Sequence, residues 1–243
     1  MKLKPGKQTG NSITKMNFLL KIITRQLSGC LIILISSCNL SSQPALPAIH
    51  LTTADSMQNE QRLAKADFRI GEVKPLIKTG DVVTRTGNDF TSESLRKLCR
   101  RNTTYSHCGI ASIENDSLFI YHTLGGEWNP DEKLKRESFE QFADPYTNNG
   151  LGLFRFDMSQ IEVTQLIKVV HRLFSEHLKF DMKFDLSTDD RMYCAEFLYK
   201  SFKEASKQQI MFAKSRIGDF EFIGVDDIFL YPGCNKIIEI VYK

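Results

Sequence analysis

The chain has 243 residues, 42% of them hydrophobic and 25% charged, with a net charge of +3. That length and balance suit one folded domain with a buried core plus accessory segments. The small net charge gives nucleic-acid binding no electrostatic footing, so no nucleic-acid partner is expected.

The N-terminus reads as an export signal. Basic residues run through Lys21 and Arg25, a short apolar core follows (CLIILI, 30–35), and SSC ends at Cys38. Small residues before a cysteine, Ile35-Ser36-Ser37-Cys38, resemble a bacterial lipobox. The rival Leu27-Ser28-Gly29-Cys30 has the better local pattern but lacks a clean apolar core, because Lys21 and Arg25 interrupt it. The reading is a lipoprotein signal over residues 1–38, cleaved and lipidated at Cys38, with Met16 as an alternative start. The uncharged run from Leu27 to Leu40 is too short to span a bilayer. The protein is therefore expected to be exported and lipid-anchored in a bacterial cell envelope, touching the membrane through that anchor only. Residues 39–60, rich in Ser, Pro, Ala and Thr, read as a tether. A short helix is expected at 58–68, making 39–77 a tether and lead-in to a domain over 78–243.

Cys30 and Cys38 belong to the signal, which leaves Cys99, Cys108, Cys194 and Cys234. Their spacings show no tight disulfide framework, and no CxxC supports a zinc ribbon.

The body opens with DVVTR (81–85), which alternates as a strand does. TSESLRKLCRR (91–101) reads as a helix capped by Thr91 or Ser92, with Glu93 in its first turn and Arg100 and Arg101 at its end. Leu95, Leu98 and Cys99 share one face, which places Cys99 in the core. HCGIASI (107–113) and SLFIYHT (117–123) flank Asn115-Asp116 and predict a hairpin. A two-residue turn sets Gly109 opposite His122 and His107 opposite Leu124. His107 and His122 then become diagonal neighbours on one face, about 7–8 Å apart at the backbone. Cys108 points to the other face and reads as a small buried hydrophobe.

Residues 125–150 are loop-rich, with a helix expected at 137–143. LGLFRF (151–156) is a strand, and 159–178 an amphipathic helix whose apolar stripe includes Leu166, Val170 and Leu173. His171 and His177 ride on that helix as rim residues. A further helix covers 194–207, and FEFIGV (220–225) and KIIEIVYK (236–243) read as strands.

The sharpest chemical signal is STDDRMYCAEFLYKSF (187–202). Asp189 and Asp190 can cap a helix whose first turn holds Cys194. A thiol at a helix N-terminus feels partial positive charge, which favours thiolate, the nucleophilic form. A lone cysteine at such a place is also an ordinary core residue.

TGDVVTRTGND (79–89), YSHCGI (105–110) and FDMKFDLSTDDRMYCAEFLYKSF (180–202) resemble the permuted papain-like amidases of the YaeF/YiiX type, relatives of the NlpC-type cysteine hydrolases. The ordered set is Gly80-Asp81, then Ser106-His107-Cys108-Gly109, then Tyr193-Cys194-Ala195-Glu196, across roughly residues 78–243. The resemblance implies an α+β, circularly permuted papain-like (NlpC-type) fold, with an antiparallel sheet packed against helices. It implies Cys194 as nucleophile and His107 as base. His122 stands where some relatives carry a carboxylate, which leaves the orienting role open. Tyr193 is a candidate for the oxyanion site and equally a packed tyrosine bracing the helix. Asp81 and Glu196 read as structural.

The implied reaction is amide hydrolysis through a Cys194 thioester, on cell-wall peptides (peptidoglycan stems) or acyl-amino-acid amides, with no cofactor. Alternatives are a lipid-directed thiol acyltransferase or hydrolase, a non-catalytic binding module on the same fold, and a zinc site formed by His107, His122 and Cys194.

Overall fold

A computed structural model describes residues 53–242 of the chain; the Cys38 lipobox and the signal lie outside the described residues. Two compact units meet at Glu60/Gln61. Of the first, only the opening turns of helix α1 (Thr53–Val73) are described. The second carries everything discussed below.

Helix α1 is longer than the helix expected at 58–68, and its apolar residues Ala66, Ile70 and Val73, in the second unit, are buried in a core cluster. A short 3-10 turn with a proline in its first turn, Lys74–Leu76, ends it. The following elements are β1 (Val82–Gly87), α2 (Phe90–Arg96), β2 (His107–Glu114), β3 (Ser117–His122), β4 (Lys135–Ser138), α3 (Phe139–Ala143), β5 (Asn148–Phe156), α4 (Gln160–Ser175), α5 (Cys194–Ala205), β6 (Ser215–Ile217), β7 (Phe220–Phe222), α6 (Val225–Phe229) and β8 (Cys234–Val241).

The class is α+β. Six strands form one antiparallel sheet in the order β4-β3-β2-β1-β5-β8, and β6 and β7 form a separate ribbon. Alternation along the strands sorts the core into two layers. Val82, Cys108, Ile110 and Tyr121 face one layer with Leu166, Val170 and Leu173 of α4 and Phe197, Leu198 and Phe202 of α5. Val83, Ala111 and Ile120 face the other, with Phe139, Phe142 and Ala143 of α3.

Several boundaries differ from the sequence reading. Helix α2 stops at Arg96, and its cap is Asp89, which accepts from the Ser92 N–H, two or three residues before Thr91 or Ser92. The expected helix at 137–143 splits: residues 135–138 join the sheet edge, and Ser138 then caps a five-residue helix through a reciprocal bond with Gln141. Residues 220–225 divide between β7 and the start of α6. Helix α4 starts at an equivalent Ser159–Glu162 box.

Candidate active site

The site is built from the β2–β3 hairpin outward. Asn115 and Asp116 both take left-handed φ, 48° and 61°, which two short polar residues tolerate and a two-residue hairpin turn requires. The turn fixes the register Ala111↔Ile120 and Ile110↔Tyr121. His107 and His122 therefore emerge on one face, and both are buried. His107 Nε2 and His122 Nδ1 are 2.8 Å apart, with the rings edge to face at a centroid distance of 4.9 Å. Gly109 makes this approach feasible. A Cβ there would stand 2.6 Å from Ile120 Cγ2 and 3.1 Å from His122 Cβ. Phe142 of α3 covers both imidazoles, at centroid distances of 5.8 and 5.1 Å.

Glu137, on edge strand β4, completes the row. It pairs with Ile120 in the ladder, which puts it on the histidine face. Its Oε2 is 3.0 Å from His122 Nε2, off the ideal hydrogen-bond direction. The close contact with His122 holds the Glu137 carboxyl below its ordinary range. These contacts define tautomers. An ionised Glu137 calls for a proton on His122 Nε2, so His122 Nδ1 accepts from His107 Nε2–H. The lone pair of His107 Nδ1 is left available. Burial, and then the charge of Arg85, hold His107 well below the usual histidine value, so it is a neutral base. Burial lowers His122 as well, against the opposing pull of Glu137.

Cys194 opens α5. The cap is Tyr193, whose N–H donates to Glu196 Oε2 at 3.3 Å. Asp189 and Asp190 do not cap the helix, because it begins too late for their side chains to reach its first N–H groups. Asp189 instead pairs with Lys200 at 2.7 Å. The Cys194 sulfur lies against the Cys108 thiol, the largest cause lowering its pKa. Burial opposes that effect, and the Cys108 and Ala195 backbone groups and the Arg85 charge reinforce it. The net direction is down, toward thiolate. The other cysteines are pushed up by burial, Cys99 and Cys234 to about 12 and Cys108 well above its ordinary value.

The structure thus brings together His107 with His122, and Cys194 with Cys108. Among the described residues no hydrogen bond joins Cys194 to His107, whose ring bonds only to His122. The two face different layers: His107 packs on Phe142 of α3, whereas Cys108, the next residue along the strand, points to the α5 layer and lies against the sulfur. The Tyr193 hydroxyl accepts from the Ile223 N–H at 2.7 Å, and its ring packs on Phe184, which makes it a brace for the helix start. Asp81 accepts from Arg155 Nε and Nη2, each at 2.7 Å, and from the Lys78 N–H, tying β1 to β5. His171 sits apart, 3.1 Å from Glu114.

Two site residues escaped the sequence reading. Glu137 lay in a segment read as loop and helix, where no strand register could be assigned. Arg85 is the ladder partner of His107 on the same face, a relation visible only once β1 and β2 are paired.

Among solved structures, the chain matches the crystal structure of metalloprotein YiiX, DUF1105, from Escherichia coli O157:H7. The match has a TM-score of 0.54 at 15% identity and covers 68% of this chain and 98% of that one. The chain has the YiiX fold. No family model and no curated protein matches it.

Among the described residues, no three or more His, Cys, Asp or Glu side chains are grouped to hold a metal ion, and no helix is long and apolar enough to cross a membrane.

Proposed function

We propose that the chain is a cysteine hydrolase of the permuted papain-like type, cleaving an amide bond in a cell-wall peptide or an acyl-amino-acid amide. The observation that carries this reading is a thiol at a helix start, shifted toward thiolate, beside a strand whose histidine is held as a neutral base by a His–Glu relay.

The Cys194 sulfur attacks the acyl carbon. Negative charge develops on the carbonyl oxygen, and N–H groups of the first turn of α5 are the nearest source of stabilisation. His107 takes the thiol proton at Nδ1 and delivers it to the departing amine, leaving a thioester on Cys194. Water then attacks the thioester with His107 again as base. His122 holds Nε2 of His107, and Glu137 stabilises the positive charge that passes along the pair. His107 packs toward α3 and Cys194 toward α5 in this structure, so the proposed proton transfer requires substrate binding to bring the imidazole and the sulfur together at the start of β2.

YiiX is described as a metalloprotein. The donors here do not fit a metal centre. His107 Nε2 and His122 Nδ1 face each other at 2.8 Å, and His122 Nε2 is taken by Glu137, so their nitrogens do not converge on a common point. No step is routed through a metal.

Export and lipid anchoring at Cys38 remain part of the proposal and place the enzyme at the envelope. The test is turnover of N-acyl-amino-acid amides and stem peptides, with and without lipid acyl acceptors. Hydrolysis abolished in Cys194→Ala supports the reading. Acyl transfer to a lipid acceptor in preference to water would move it to the acyltransferase alternative, and no turnover with an unreactive Cys194 to a binding module.

A further inference from the structure

We propose that a cleft at the Thr86 end of β1 binds a small zwitterion of the amino-acid class, its carboxylate held by Arg96 and its ammonium by Glu239. The site is independent of the cysteine-hydrolase reading.

The cleft begins in the sheet itself. Two rows of ladder partners cross β1, β5 and β8: Thr84–Gly152–Glu239 and Thr86–Gly150–Val241. Residues two apart on a strand share a face, so both rows lie on one side of the sheet, each with a glycine at its centre. The middle strand raises no side chain there, and the floor is bare backbone. Over Gly152 the gap is filled, because a Cβ at that position would stand 2.4 Å from Tyr105 Oη. The Tyr105 ring is fixed edge-on against Phe154 and Phe229, at centroid distances of 5.7 and 5.3 Å. Over Gly150 the gap stays open, and the nearest side-chain atom to a Cβ there is Thr86 Oγ1 at 3.7 Å. The walls are the 103–104 loop and the end of α2. Thr86 Oγ1 donates to the Thr104 carbonyl at 2.8 Å, and Arg96 Nη1 donates to the Thr103 carbonyl at 3.4 Å. The enclosed volume is about 390 Å³, within the ~300–1,000 Å³ of small-molecule sites.

The polar groups around this cleft are unspent. Tyr105 is 2% exposed, yet its hydroxyl has no hydrogen-bond partner. Burial, and then the charge of Glu239, raise its pKa, so it stays an O–H donor. Arg96 Nε is closed off and unpartnered as well. The guanidinium forms no ion pair among the described residues, and Glu93, one turn back on α2, is taken by Lys97. A buried donor and an unpaired cation at one cleft call for an acceptor with negative charge, for which the planar guanidinium fits a carboxylate. Glu239 sets the second condition. It lines the same cleft without pairing with Arg96, and its bond to Lys236 uses Oε2 only. Its charge opposes a bare anion and favours a cation beside it. A ligand with one group of each sign meets both conditions, and an α-amino acid carries the two on one carbon. The open floor over Gly150 leaves room for its side chain.

The test is saturation-transfer NMR on the wild-type chain with an equimolar mixture of the common amino acids, which should give transfer to at least one. That amino acid is then titrated beside its N-acetyl derivative, which lacks the ammonium, and its α-amide, which lacks the carboxylate. The zwitterion should bind at least about tenfold more tightly than either. Arg96→Gln and Glu239→Gln, both at partly exposed side chains, should each weaken it about tenfold, and Arg96→Lys should retain part of the affinity. Cys194→Ala should leave the affinity unchanged. No transfer from any amino acid, equal affinity for either derivative, or an affinity unaltered by Arg96→Gln or Glu239→Gln overturns the site. Binding lost in Cys194→Ala would put the ligand at the thiol and overturn it too. Loss of hydrolase activity bears on none of these readouts.

Discussion

His107 Nε2 and His122 Nδ1 lie 2.8 Å apart across a hairpin, and the second imidazole is held in turn by Glu137. This relay leaves His107 Nδ1 as the one free basic nitrogen of the two imidazoles. His122→Ala should therefore leave the fold intact and lower kcat about a hundredfold, with Glu137→Gln less affected, as measured by steady-state turnover. Cys194→Ala should remove activity altogether. Unaltered kcat in His122→Ala would separate the relay from the reaction.

That relay was half legible in the sequence. Asn115-Asp116 between two β-rich runs fixes the turn length, and turn length fixes which residues share a face, so the His107–His122 pair follows from counting. Glu137 does not follow, because it joins the sheet through an edge strand preceded by an irregular loop, and nothing local sets that register. The start of α5 was legible to within its cap. Cys194 stands at the first turn as the apolar pattern requires, but Glu196 does the capping expected of Asp189 and Asp190. Cys108 read as a buried filler, and it is buried. Its place against the Cys194 sulfur is a tertiary contact between β2 and α5 that no local pattern encodes.

The lowered pKa of Cys194 predicts selective alkylation. With iodoacetamide, the rate at Cys194 should rise to half its maximum at a pH below that of an ordinary thiol, while Cys99 and Cys234, pushed to about 12, and Cys108 stay slow near neutrality. Cys108→Ala removes the largest lowering contribution and should move the Cys194 midpoint upward. Peptide mapping by mass spectrometry reads each site. Faster labelling of any of the other three cysteines would count against the assignment.

Glu196 predicts a pH-dependent stability. Burial raises its folded pKa to about 8, partly offset by Lys200, whereas an unfolded glutamate titrates near ~4.3. The folded state therefore binds more protons between those values, and its stability should fall as pH rises through that window. Glu196→Gln, which keeps an acceptor for the Tyr193 N–H, should flatten that fall. Urea unfolding at a series of pH values measures it, and a slope unchanged by the substitution would refute the attribution.

Asp81 should prove structural. Its bidentate bond to Arg155 is buried on the aspartate side, while Arg155 reaches solvent. Asp81→Ala should cost about 2 kcal/mol, less than a fully buried pair, because the arginine left behind can hydrate. The alkylation rate of Cys194 at a temperature well below the transition should not change. A folded variant with a slowed Cys194 would place Asp81 in the site.

The most direct measurement of the account is rapid quenching of the chain during turnover of an N-acyl-amino-acid anilide, followed by intact-mass and peptide analysis. The account predicts an acyl adduct on Cys194, labile to hydroxylamine as a thioester is. It should be absent from Cys194→Ala and form far more slowly in His107→Ala. An acyl group on any other residue, or turnover that persists in Cys194→Ala, would contradict it.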